Sequence, residues 1–118
     1  MQGFAINRKE HGQISEVVVK EDTIDRVMVI LGHELGHIMS KRLDDARSEE
    51  AKAFAFSIAW IKAIKENNIA GLSTAVCIDH PAKNGIHDIA HQFVVSMIQS
   101  GKSAMNVFKE LISGEIRC

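Results

Sequence analysis

Residues 27–39, Val-Met-Val-Ile-Leu-Gly-His-Glu-Leu-Gly-His-Ile-Met, constrain this chain more than any other stretch. They set the pattern H-E-x-x-H inside an apolar run. On an α-helix, residues four apart project from one face. His33 and His37 therefore converge on one point, as two imidazole ligands of a single metal ion must. Glu34 lies one position on, about 100° round the helix. There it can reach a water that the metal has acidified without being a ligand itself.

The context favours a covered helix over one with two solvent-facing histidines. Ile24, Met28, Leu31, Leu35, Ile38 and Leu43 recur at helical spacing and are expected to form its core face. His33, His37, Val29, Ile30 and Ser40 fall on the opposite side, which is itself partly apolar. Both sides of this helix are thus expected to be covered.

With 118 residues, 46% hydrophobic and 25% charged, the chain has the length and make-up of one ordinary globular domain, taken as residues 1–118. A net charge of −1, spread along the chain, gives no reason to expect nucleic acid or an acidic membrane surface as a partner. No apolar run is long enough to span a bilayer, and the N-terminus does not read as a signal peptide. Cys77 and Cys118 are too far apart for a CxxC site and are expected to be free thiols. The expectation is a cytoplasmic protein, of oligomeric state not set by the sequence. There is no tyrosine, so a mechanism that stabilises an oxyanion needs another donor.

Phe4 to Asn7 and the β-branched Ile14 to Lys20 are expected to be strands, joined by a turn over Arg8 to Gln13. A helix then runs from about Ile24 to Lys41, with Asp22 or Thr23 as its N-cap. A second is expected from Glu49 to about Glu66, capped by Asp45 or Ser48 and ended by Asn67, Asn68 and Gly71. Ile69 to Ile78 is of uncertain type, and Asp79 to Gly85 reads as a loop. A third helix is expected from Ile86 to Gln99, and a fourth from Ser103 or Ala104 to Ile112, ended by Gly114. The fold class is α+β.

The second helix carries the other informative residues. Placed at helical intervals, Glu50 falls in the middle of a face with Phe54, Ser57, Ile58 and Ile61, while Glu49 falls to the side. A carboxylate in an apolar stripe is costly unless paired or metal-bound. Glu50 is therefore the natural third ligand, with Glu49 as the fallback, although acids also suit an exposed first helical turn.

His87 and His91 repeat the four-residue histidine spacing on the third helix, and His80 lies just before it. They suit three roles: an exposed helix start, a separate metal site, or an oxyanion or substrate contact above the first site.

At His33-Glu34-Leu35-Gly36-His37, followed by Glu50-Ala51-Lys52-Ala53-Phe54-Ala55, the chain resembles the gluzincin metallopeptidases. It is most similar to their small cytoplasmic members, the ImmA/IrrE-type peptidases and the single-domain minigluzincins. The likeness covers roughly residues 14–62. It implies a zincin-like fold with a small N-terminal β-sheet, an active-site helix, a glutamate helix and two further helices. It also implies Zn²⁺ held by His33, His37 and Glu50, Glu34 as general base, and a peptide or protein substrate. That substrate would pair with an edge strand, for which Ile14 to Lys20 is the expected choice. Two features depart from the family pattern. Lys52 stands where the ImmA/IrrE-type sequences have Asn, and the gap from His37 to Glu50 is short.

The expected function is thus a zinc metallopeptidase. The alternative is a catalytically silent or latent zinc-binding interaction domain, with no open coordination position; in the latent form, Cys118 could supply a thiolate ligand.

Overall fold

The computed structural model describes residues 2–74 and 81–118. Among these, the chain forms a two-stranded antiparallel sheet followed by four α-helices, an α+β arrangement. Strand β1 (Gly3–Ile6) pairs with β2 (Glu16–Val19) in the register Phe4 to Val18 and Ala5 to Val17. The connection holds one turn of 3-10 helix, Lys9–His11, ended by Gly12 at φ 65°, which glycine adopts without strain. The β-branched run in β2 accounts for the strand, but two strands do not stand alone. They lie on helix α1 (Ile24–Ile38), where Ile30 meets the backbone at Gly3 closely enough that a Cβ there would sit 2.9 Å from Ile30 Cγ2.

Helix α2 (Ala46–Asn67) is the centre of the molecule, packed by α1, α3 (His87–Gln99) and α4 (Ala104–Ser113). Asp45 caps it by accepting the Ser48 N–H, and Asn68 ends it in the left-handed region, which asparagine tolerates. Ser103 and Gly114 bound α4 in the same way. The main core joins α2, α3 and α4 through Phe54, Ala90, Val94, Val107, Phe108 and Leu111. A second cluster, Ile61, Ile64 and Leu72, receives Met28 and Val29 of α1. Among the described helices, none is long and apolar enough to cross a membrane.

The inward face of α1 differs from the one its apolar spacing suggests. Ile24 is 58% exposed, and the buried residues are Ile30, Gly32 and Gly36. Hydrophobic periodicity gives glycine no weight, yet here glycine sets the approach. A Cβ on Gly32 would collide with the Trp60 indole, and one on Gly36 would lie 2.8 Å from Ala53 Cα. The Trp60 indole N–H donates to the Met28 carbonyl at 2.9 Å and fixes this contact. The expectation that both sides of α1 are covered holds: the sheet lies on one side, α2 on the other.

Candidate metal centre

The glycine pair that lets α1 approach α2 lies directly beside the two motif histidines, so the same contact presses His33 and His37 towards α2. Glu50, in the first turns of α2, meets both. Its Oε2 lies 3.2 Å from His33 Nε2 and its Oε1 lies 3.3 Å from His37 Nε2. One ligand atom from each of His33, His37 and Glu50 falls within a 4.8 Å group. The Glu50 side chain is 15% exposed, so it is not the solvated first-turn acid that its position would also allow.

Glu50 Oε2 is buried and has no hydrogen-bond partner among the described residues, although two imidazole nitrogens lie within 3.4 Å of it. A buried carboxylate oxygen left this way is costly, and a cation shared with the neighbouring nitrogens removes the cost. Two imidazoles and one carboxylate are also an ordinary zinc donor set. The residues present therefore fit a divalent metal ion.

Glu49 is buried, not set to one side, and it has a different task. Its Oε2 lies 2.6 Å from His37 Nδ1, and its Oε1 accepts from the Leu43 N–H and from Lys52 Nζ, both at 2.9 Å. A carboxylate on Nδ1 leaves Nε2 as the nitrogen turned to the converging group, the usual way a ligand histidine is oriented. Lys52, fully buried, also donates to the His37 carbonyl at 3.0 Å and to Ser40 Oγ at 3.1 Å. Asn7 from the segment after β1 donates to the same His37 carbonyl at 2.8 Å and to that of Ser40 at 2.7 Å. The end of α1 is thus held from two sides.

The electrostatics favour positive charge at this point. Burial alone would lower the His37 pKa, but the Glu49 and Glu50 carboxylates outweigh it and push it up to about 9. Burial would raise Glu50, yet the imidazoles of His33 and His37 hold it well below the usual carboxylate range. Glu49 is likewise lowered: burial opposes, but His37, the Leu43 N–H and Lys52 prevail. Lys52 moves down, because burial outweighs its pairing with Glu49. Glu34 is the exception among the acids. Its burial raises its pKa despite the nearby imidazoles.

Glu34, His37, Glu49, Glu50 and His87 line one cleft of about 480 Å³, together with Gly3, Phe4, Ala5, Asn7 and Arg42. The strand along this cleft is β1, not the Ile14–Lys20 segment expected to border it; β2 is separated from the cleft by its partner. Of the second histidine pair, His87 reaches the site, with Nε2 3.4 Å from Glu50 Oε2. His91 packs its ring against Phe54, centroids 5.3 Å apart, and Phe54 in turn meets His33 at 4.6 Å. His80 and Cys77 lie outside the described residues. Cys118 is not in the converging group; its backbone N–H donates to Ser48 Oγ at 3.0 Å, and burial raises its thiol pKa. The paired role of Glu49 and Lys52 escaped the sequence, because charged residues near the start of a helix ordinarily read as solvated.

No family model matches the chain, and neither a curated protein nor a solved structure does.

Proposed function

We propose that this protein is a zinc-dependent peptide hydrolase with a zincin-like arrangement of the gluzincin kind. The observation that carries the reading is the placement of Glu34 in one cleft with His37 and Glu50, two members of the converging group His33, His37 and Glu50, bordered by a strand whose second edge is unpaired among the described residues. His33, His37 and Glu50 would hold the ion, and Glu49 would keep His37 Nε2 turned to it. A zinc ion there supplies Lewis-acid chemistry, lowering the pKa of water towards neutrality and polarising a carbonyl. The Glu34 carboxylate takes the proton of the attacking water and returns it to the leaving amine. Strand β1 offers backbone N–H and C=O groups to an extended peptide, which would run along the cleft as an added strand.

A silent, closed zinc domain is the other reading. Such sites take four protein ligands, and three converge here among the described residues.

The test is the zinc content of the purified protein, together with peptide hydrolysis by the parent and by Glu34→Gln. The parent is expected to carry about one zinc per chain. Glu34→Gln should retain it and lose about 10²–10⁴-fold in hydrolysis. A parent that takes up no zinc when offered it, or a Glu34→Gln variant as active as the parent, would break the reading.

A further inference from the structure

Asn84 lies three residues ahead of His87, at the entry to α3, and both ends of its carboxamide are engaged. The Oδ1 end accepts the backbone N–H of Ile86 at 3.0 Å and that of His87 at 2.9 Å. The Nδ2 end lies 2.7 Å from His87 Nδ1. Backbone N–H groups only donate, so the atom they meet must be the carboxamide oxygen. The atom facing the imidazole is then the NH₂ group, which also only donates. His87 Nδ1 must therefore accept, and the proton of the neutral ring must reside on Nε2. Nε2 is the nitrogen 3.4 Å from Glu50 Oε2, out of line for a hydrogen bond to it.

The segment carrying Asn84 is tied in place. The Gly85 N–H donates to Asp88 Oδ1 at 2.8 Å. The Gly85 carbonyl accepts from Arg47 Nε at 3.0 Å, in the first turn of α2. Gly85 itself sits at φ 79°, where a side chain would be strained. Rotating the carboxamide by half a turn would set an NH₂ group against two backbone N–H donors.

We propose that Asn84 is a positioning residue that locks His87 in the Nε2–H tautomer, so that His87 presents a hydrogen-bond donor to the cleft and cannot become a fourth metal ligand. A ring nitrogen that carries a proton has no lone pair to give a metal. Histidine is the commonest metal ligand, and this one stands beside a ligand carboxylate. Left to choose its tautomer, it would be suited to close the coordination shell. Held as it is, it offers an N–H to an oxygen of a bound substrate, the kind of donor the chain lacks for want of tyrosine. The consequence for the metal rests on the zinc reading above, but the tautomer does not.

Long-range ¹H–¹⁵N correlation spectra of the labelled full chain, at neutral pH and without metal, read the tautomer directly. His87 is expected to show a bare Nδ1 and a protonated Nε2. Asn84→Asp keeps an acceptor for both backbone N–H groups but sets an oxygen against Nδ1, so it should move the proton to Nδ1. A parent His87 with its proton on Nδ1, or on both nitrogens, overturns the proposal; so does an unchanged pattern in Asn84→Asp. Zinc titration supplies the second readout. His87→Ala should leave zinc affinity within about twofold, and Asn84→Asp, which frees Nε2 to ligate, should tighten it about tenfold or more. A tenfold weakening in His87→Ala would make His87 a ligand and overturn the proposal. If no variant and no parent binds zinc, the zinc reading fails while the tautomer measurement still decides the lock.

Discussion

The chain holds two pairs of histidines four residues apart, and they end in different places. On α1, His33 and His37 both reach Glu50. On α3, His87 reaches the edge of the same group, while His91 turns its ring onto Phe54. The residue before the second histidine differs between the pairs: Gly36 on α1, Ala90 on α3, each buried against a neighbour. Gly36 lets the α1 backbone come so near α2 that a methyl group would meet the Ala53 backbone. Ala90 has that methyl and spends it on the core. Spacing puts two imidazoles on one face; whether they form a site depends on how closely that face is brought to a carboxylate.

The largest expected contrast is between the pairs themselves. His37→Ala should take zinc from about one per chain to none by elemental analysis. His91→Ala should leave zinc unchanged, since its ring lies on Phe54 and outside the converging group. Equal effects would erase the distinction. Next comes the carboxylate support that only the first pair has. Lys52→Met takes one of three partners from buried Glu49, leaving His37 and the Leu43 N–H, and should cost about 1–3 kcal/mol. The double variant Glu49→Gln/Lys52→Met removes the carboxylate together with the ammonium, so that neither charge is buried there. It should nonetheless bind zinc about 10–100-fold more weakly, because His37 loses its oriented carboxylate. A double variant with parental zinc affinity would remove Glu49 from the site. The smallest effect tests the close approach. Gly36→Ala overpacks the α1–α2 contact, and alanine's better helix propensity offsets part of the cost, for a net loss of about 1–2 kcal/mol by urea unfolding. A stabilised variant would mean that the helices can part without penalty.

Much of this was legible in the residues. The four helices and the hairpin follow from period and punctuation, and Asp45, Ser103 and Gly114 act where their chemistry suggests. The trio His33, His37 and Glu50 also follows from spacing, since an isolated carboxylate in an apolar stripe demands a partner. Other features depend on distance and not on pattern. The inward face of α1 is set by Gly32 and Gly36, which carry no hydrophobic signal. Glu49 and Lys52 look like surface charges until α1 covers them. The strand at the cleft is β1 because of how the hairpin lies on α1, and alternation within a strand does not report which edge faces a neighbour.

The short connection between α1 and α2 has a consequence for the order of assembly. All three converging side chains lie between His33 and Glu50, on two helices joined by residues 39–45. Closing so short a loop costs little entropy, and local contacts of this kind form quickly. The helical hairpin can therefore gather its donors before the first strand or α3 has docked. An ion captured at that stage would staple the hairpin, and its binding energy would enter the folding of the rest. Asn7 and His87, from opposite ends of the chain, would then close on a centre already made.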